Sequence, residues 1–363
     1  MRRHLILEDG SVFEGEGFGA PATTFGEIIF DTAMTGYQEI ITNPIYEGQM
    51  IVFAMPVVGA DGIHAEAYES VKPNIRGMIV HDLAEVSTNR QRRMNLDRFL
   101  KQHNIPGLAQ VDTRALIRHL RESGPQKATI VDYVDDHAVD QLVATVLTNK
   151  QVQNTATPKP YANPGRGHHI VVIDFGLKHG ILRSLGDYDA NVSVLPYTAT
   201  VDEVLTLDPD GIILSTGPGN PNDLPESVLT LIRVLQSKAP MLGLGLGHEL
   251  FALANGATLS TLPAEYHGMN HPIQEIISQE IFYAMQGRGY VVDEDSLDYK
   301  KLFVTHRDLV DNSIQGLRHR DYPAFSVQFF PDGGPGPLEA SVIFADFFET
   351  VEDYVEQNNE SFN

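Results

Sequence analysis

The second half of the chain alternates short apolar runs with amphipathic segments. The apolar runs have the length of buried strands and lie at 169–173, 192–195, 211–214 and 241–244. The segments with apolar residues at helical spacing lie at 177–185, 227–235 and 248–254. Buried strands that alternate with helices of this length predict an α/β fold with an open, mostly parallel sheet flanked by helices. Sites in such sheets form beyond the carboxyl ends of the strands.

The first half has shorter apolar segments separated by turns. These segments predict strands at 4–7, 12–13, 27–30, 51–55 and 77–80. Helices are predicted at 96–102 and 112–120, the second with Asp112 as its N-cap and Gly124 just past its end. The glycines Gly15, Gly17 and Gly19 predict a loop. Because the run leads through Pro21 into another strand and not into a helix, a turn is favoured over a phosphate-binding loop.

The domain boundary is predicted from a change in composition. Residues 149–167 carry Asn, Thr, Pro, Lys and Gly and almost no large apolar side chains. We therefore expect a first domain at 1–150, a linker at 151–168, a second domain at 169–355 and a tail at 356–363.

Composition narrows the chemistry. The 363 residues include no cysteine, which excludes disulfides, thiolate metal sites and a cysteine nucleophile. The formal net charge of -22 argues against a nucleic-acid or anionic membrane surface. No apolar window approaches the length of a membrane span, and the N-terminal segment lacks the apolar core of a signal peptide. The expected location is the cytoplasm.

Two loops follow predicted strands and carry the strongest chemical signals. In the first, 214–221, Gly217 and Gly219 would let backbone N–H groups face an anion, or else they form a tight turn. The second, 243–248, has the strand, sharp turn and helix start of a nucleophile elbow. Its central residue is Gly245, which has no side chain to project. A dinucleotide-binding loop is the weaker alternative, because His248 stands where that motif needs a glycine.

The chain resembles the small, glutamine-hydrolysing subunit of carbamoyl phosphate synthetase from about residue 5 to residue 350. In the first half the resemblance rests on LEDGSVFEGEGFG at 7–19, MTGYQE at 34–39 and IPGLAQVDTRALIRHLR at 105–121. In the second half it rests on DFG at 174–176, STGPGNP at 215–221, GH at 247–248, NHP at 270–272, GLRH at 316–319 and FSVQ at 325–328.

The resemblance implies a β-rich N-terminal domain that docks on a large subunit, followed by a class I glutamine amidotransferase domain. In that family a Cys–His–Glu triad releases ammonia from glutamine, and a tunnel carries the ammonia to the large subunit. The large subunit is the partner that uses bicarbonate and ATP. The resemblance therefore implies no cofactor in this chain, since ATP and Mg belong to the large subunit.

The triad positions are changed in this sequence. The family elbow reads G-x-C-x-G-H-Q, and Gly245 occupies the nucleophile position. The family segment F-S-x-Q-x-H-P-E corresponds to 325–332, so Phe330 replaces the general base and Asp332 replaces the glutamate. A phenyl ring neither accepts nor donates a proton, so no catalytic triad is intact.

The glutamine pocket implied by the resemblance is also eroded, which argues against glutamine binding. Ile45 replaces a serine, Glu249 replaces a glutamine, and the family's Q-N-H-G-F reads QGRGY at 286–290. The pocket positions are Ile45, Gly217, Gly219, Leu246, Glu249, Gly287, Gly289 and Tyr290.

The sequence gives little support for another nucleophile or for a metal site in place of the triad. Ser215, Thr216 and Ser326 have no evident partner base, and we expect them to bond to local backbone. His248 is expected to be structural. His267 and His271 have a metal-like spacing only on a helix, which Gly268, Asn270 and Pro272 disfavour, so no metal site is predicted.

Three functions stay open at this point. The first is a small subunit that has lost glutamine hydrolysis and keeps a structural or regulatory role beside an ammonia-using large subunit. The second is an active glutamine-hydrolysing subunit with another nucleophile. The third is a stand-alone module that binds a carboxylate or amino acid. The sequence does not distinguish arginine from pyrimidine synthesis.

Overall fold

The computed structural model describes residues 1–135 and 137–361, and it divides into two compact units. The first contains Met1–Gln151 together with Pro263–Gly268. The second contains Val152–Leu262 and the residues from Met269 onward. Among the described helices, none combines the length and the hydropathy needed to cross a membrane.

The first unit is built around a closed barrel. Its elements are β1 (Arg2–Leu7), β2 (Val12–Gly19), β3 (Thr24–Asp31), α1 (Tyr37–Thr42), β4 (Gln49–Phe53), β5 (Val57–Val58), β6 (Gly77–Ile79), β7 (Asp82–Leu83), α2 (Leu96–Gln102), β8 (Pro106–Ala109), α3 (Thr113–Ser123), β9 (Gln126–Val131) and α4 (Ala138–Ala144). The barrel order is β1-β2-β8-β6-β4-β3-β9, and β9 pairs with β1 to close it. Closure leaves no free sheet edge among these strands.

The sequence signals in this unit were strongest for its helices. Helix α2 has the predicted bounds, and the Asp112 carboxylate caps α3 by accepting from the Ala115 N–H at 2.9 Å. The predicted loop at Gly15, Gly17 and Gly19 is wrong, because all three residues lie in β2. A Cβ at Gly15 would overlap the carbonyl oxygen of Ala109 on β8, so glycine is needed there for close strand packing and not for a turn.

The second unit is an open sheet with helices on both faces. Its elements are α5 (Gln151–Thr155), β10 (Tyr161–Asn163), β11 (His169–Asp174), α6 (His179–Asp187), β12 (Asn191–Pro196), α7 (Val201–Thr206), β13 (Gly211–Leu214), α8 (Glu226–Leu235), β14 (Met241–Leu244), α9 (Leu246–Ala254), β15 (Leu259–Glu275, of which Pro263–Gly268 belong to the first unit), β16 (Ile281–Val292), β17 (Leu302–Asp308), β18 (Ile314–His319), β19 (Ala324–Val327) and α10 (Val342–Ser361). The strand order is β10-β12-β11-β13-β14-β19-β18-β17-β15-β16. Strands β12, β11, β13, β14 and β19 run parallel, which confirms the predicted fold class.

Both faces of the parallel strands are buried, as their continuous apolar runs require. Along β11, Val171 and Ile173 belong to one apolar core, which also contains residues of α8 and α9. Ile170 and Val172 belong to a second core, which contains residues of α6 and α10. The alternation places one helical layer on each face of the sheet.

Two predicted boundaries differ from the structure. The expected linker at 151–168 contains α5 and β10, because Val152 and Ala156 are buried in the core and β10 pairs with β12. The expected tail at 356–363 is helical to Ser361 as the end of α10, and residues 362 and 363 lie outside the described residues.

Candidate functional site

The sharp turn after β14 places residue 245 at the carboxyl end of the parallel sheet. Gly245 has φ 54° and ψ -112°, a left-handed conformation that L side chains rarely adopt. Its N–H donates to the Val327 carbonyl at 2.9 Å, and its carbonyl accepts from the His248 N–H at 2.9 Å. These bonds hold the turn between β19 and α9. The backbone conformation of a nucleophile elbow, which would strain a residue with a Cβ, is therefore present at a glycine.

Phe330 lies directly beside this turn. A Cβ at position 245 would lie 3.1 Å from Phe330 Cε1 and 3.4 Å from Thr216 Cγ2. Phe330 is buried, and its N–H donates to the Met285 carbonyl at 3.0 Å. The phenyl ring therefore occupies the space next to the place from which a nucleophile would project.

Asp332, at the position of the family's glutamate, forms a buried ion pair. Lys178 Nζ lies 2.9 Å from Asp332 Oδ2, and both side chains are fully buried. The same ammonium donates to the Gly334 carbonyl at 2.8 Å and lies 5.1 Å from the centroid of the Phe330 ring. A cation over an aromatic face is stabilising when both are desolvated. Lys178 thus joins two of the three changed triad positions, a role that sequence reasoning missed.

The hydroxyl groups near the turn are all engaged and buried. Ser215 donates to the Thr216 carbonyl at 2.8 Å and accepts from the Phe175 N–H at 2.9 Å. Thr216 donates to the Gly176 carbonyl at 3.3 Å. The three hydroxyl residues considered as substitute nucleophiles, Ser215, Thr216 and Ser326, have no exposed surface.

Ser326 does have a partner base, which corrects the expectation from sequence. Its Oγ lies 2.9 Å from His248 Nδ1, and both residues are completely buried. Burial lowers the pKa of His248 to about 3, so the imidazole is neutral at physiological pH. The pair links α9 to β19. Because neither group meets solvent, we interpret it as structural.

The expected glutamine-pocket residues fall in both units. Ile45 lies in the first unit, in the 3-10 turn Pro44–Tyr46, and its backbone N–H donates to the Asn43 side chain. The other positions lie in the second unit: Gly217 and Gly219 after β13, Leu246 and Glu249 in the first turn of α9, and Gly287, Gly289 and Tyr290 on β16. Gln328 Nε2 donates to Glu249 Oε1 at 3.0 Å, so this buried acid has a partner inside the unit.

Arg288, which replaces the family's histidine, organises a buried polar network. Its Nε donates to Gln286 Oε1 at 2.6 Å, and its Nη2 contacts Asp311 Oδ2 at 2.9 Å and Asp308 Oδ2 at 3.3 Å. Arg288 and Asp308 are almost fully buried. A buried guanidinium needs such compensating carboxylates. The sequence offered two signals for this network. One is the replacement of the family's histidine by Arg288, and the other is the pair of acids Asp308, at the end of β17, and Asp311, just after it.

The two histidines with metal-like spacing lie on a strand. His267 and His271 are both in β15, so their spacing does not lie on a helix, which a shared metal would need. His267 Nε2 bonds to Glu265 at 2.7 Å, whereas His271 Nδ1 lies 3.8 Å from Asp308. Within the described residues, no group of three or more His, Cys, Asp or Glu is arranged to hold a metal ion.

Comparison with known proteins now identifies the family. Residues 5–130 match the family described as carbamoyl-phosphate synthase small chain, CPSase domain, and residues 171–350 match glutamine amidotransferase class-I. The carbamoyl phosphate synthase small chain of Streptococcus mutans is 47% identical over 353 residues, covering 97% of each chain. The chain belongs to the carbamoyl phosphate synthase small chain family.

A second relative has a more specific name. The carbamoyl phosphate synthase pyrimidine-specific small chain of Lactiplantibacillus plantarum is 45% identical over 351 residues, covering 97% of this chain and 96% of that one. The matches confirm the family to which the sequence motifs pointed. The match to the small-chain domain covers most of the barrel unit, and the match to the amidotransferase domain covers most of the open-sheet unit.

Proposed function

We propose that this carbamoyl phosphate synthase small chain has lost its own glutamine hydrolysis and acts as a docking, stabilising or regulatory subunit for an ammonia-using large subunit. The observation that carries the proposal is the pairing of Gly245, at an intact elbow turn, with the buried ring of Phe330 beside it. The turn keeps the backbone geometry of the elbow, but the side chains at 245 and 330 supply neither a nucleophile nor a base.

Covalent hydrolysis of an amide needs a nucleophile and a base within hydrogen-bond reach of each other. Position 245 offers no nucleophilic atom, and position 330 offers no proton acceptor. Asp332 carries a negative charge, but Lys178 lies against it at 2.9 Å with both side chains buried. The acid therefore stabilises a cation in the core and has no imidazole to orient.

Substitution by a nearby hydroxyl has little support. Ser215 and Thr216 donate to backbone carbonyls, and the Ser326–His248 pair has no exposed surface. A glutamine side chain must reach its nucleophile, so a fully buried dyad does not serve. This supports loss of function over replacement of the nucleophile.

The pathway is a further part of the proposal. The name of the Lactiplantibacillus plantarum relative favours pyrimidine synthesis over arginine synthesis. Pairing with a large subunit follows from the small-chain names of the relatives.

The test is ammonia release from glutamine by the purified chain, alone and with the large subunit from the same organism. We expect no release above the rate of heat-denatured protein. The variant Gly245→Cys/Phe330→His restores the two side chains that catalysis needs, and its matched control is Gly245→Ala/Phe330→His. Release by the unmodified chain, or a covalent adduct with a reactive glutamine analogue, would overturn the proposal.

A further inference from the structure

A loop of the first unit carries a concentration of positive charge in a strongly acidic chain. Arg90, Arg92 and Arg93 are exposed and lie within four residues, while the chain as a whole has a net charge of -22. Within the described part of the chain, none of these arginines forms an ion pair with a carboxylate, although Arg92 Nη1 donates to the Asn89 carbonyl at 3.0 Å. Exposed arginines without acidic partners are available to a partner outside the chain.

The loop is held in place by hydrogen bonds to the segment 59–63. The Arg93 N–H donates to the Ile63 carbonyl at 2.8 Å, and the Ile63 N–H donates to the Met94 carbonyl at 2.9 Å. The Ser87 hydroxyl, which is buried, donates to the Gly59 carbonyl at 3.0 Å. A fixed backbone reduces the ordering entropy that binding must offset. The arginines are therefore presented on a preformed platform.

The arginines line an open cleft of about 450 Å³ together with Glu85, Val86 and Met94. Val86 is 71% exposed and adds an apolar contact beside the three cations. Arginine and methionine are enriched in protein interfaces, and arginine is frequent among the few residues that carry most of the binding energy. A site for a small phosphate would instead place its donors in an enclosed pocket.

We propose that the loop 85–95, through Arg90, Arg92 and Arg93, is the surface by which this chain docks on an acidic segment of the large subunit. The assignment rests on the proposed function, since that function requires the large subunit as a partner. The uncompensated charges attract a negative surface, and such attraction mainly raises the association rate at low salt. Nucleic acid does not fit the site, because the net charge of the chain repels a phosphate backbone.

The experiment compares two triple charge reversals in the full chain. The test variant is Arg90→Glu/Arg92→Glu/Arg93→Glu. The control is Lys72→Glu/Arg114→Glu/Arg118→Glu, which reverses three exposed cations of the same unit and changes the net charge equally. The dissociation constant for the large subunit is measured at about 50 mM and about 300 mM salt, with circular dichroism and calorimetry as checks on folding. ATP and inorganic phosphate are tested as small-anion probes.

We expect the test variant to bind at least about tenfold more weakly at low salt and to lose most of the salt dependence, whereas the control stays within about threefold of the unmodified chain. Equal effects of the two variants, or no effect of either, overturn the docking surface and leave the proposed function standing. Failure of the unmodified chain to bind the large subunit overturns both. Saturable binding of phosphate or ATP that only the test variant loses, with complex formation unchanged, assigns the cleft to a small anion instead.

Discussion

Replacing Gly245 with alanine tests whether the elbow turn and the Phe330 ring exclude a side chain at this position. An alanine at φ 54° and ψ -112° adopts a sparsely populated conformation, which costs about 1–3 kcal/mol. The new Cβ would also lie 3.1 Å from Phe330 Cε1, tighter than ordinary van der Waals contact. Because Phe330 is fully enclosed and cannot rotate freely, this crowding adds about 1–2 kcal/mol. We therefore expect Gly245→Ala to lower the free energy of unfolding by about 2–5 kcal/mol.

The matched control is Gly256→Ala. Gly256 also has a positive φ, 93°, but a Cβ built there meets nothing within 4 Å. Only the backbone term applies, so the expected loss is about 1–2 kcal/mol. Differential scanning calorimetry measures both, and each kcal/mol corresponds to about 2–4 °C for a unit of this size. If Gly245→Ala is as stable as the unmodified chain, or loses no more than Gly256→Ala, the reasoning about the elbow and Phe330 is wrong.

The remaining predictions concern buried polar groups. Lys178→Met leaves Asp332 without its cation and should lower the free energy of unfolding by about 3–5 kcal/mol, measured by urea unfolding. In a double-mutant cycle, Lys178→Met/Asp332→Asn should recover part of that loss. Additive losses would contradict the ion pair. Burial and a neighbouring carboxylate raise the pKa of Glu27 to about 7, so its stabilising contribution is full below pH 4.5 and lost as pH rises through 7. Glu27→Gln mimics the protonated acid. The stability of this variant minus that of the unmodified chain should therefore be larger at pH 8 than at pH 5, by up to about 3 kcal/mol, measured by melting at both pH values. A difference that does not change with pH would refute the raised pKa. Ser326→Ala removes the hydrogen bond to His248 and should lower the free energy of unfolding by about 1–3 kcal/mol, measured by urea unfolding. A variant as stable as the unmodified chain would contradict the structural role of the pair.

The parallel half of the second unit could be predicted from sequence, because buried parallel strands read as continuous apolar runs. Strands β13 and β14 have the predicted bounds. The elbow could also be predicted from sequence, because its glycine spacing reflects a steric need. A Cβ at Gly243 or Gly247 would overlap backbone atoms, so both positions need glycine. The antiparallel strands after α9 gave no comparable signal, because half-exposed residues interrupt their apolar pattern.

The parts that sequence reasoning missed depend on contacts between distant residues. Lys178 and Asp332 are 154 positions apart, and no local pattern reveals that they pair inside the core. The Arg288 network likewise joins β16 to residues in and after β17. The glycines of β2 look like a turn because composition cannot report that a neighbouring strand lies too close for a side chain.

The most direct test of the central claim is carbamoyl phosphate formation by the reconstituted complex of this chain and its large subunit. The rate is measured with ammonium as the only nitrogen source and then with glutamine as the only nitrogen source. We predict product with ammonium and none with glutamine. Formation with glutamine at a rate comparable to that with ammonium would contradict it.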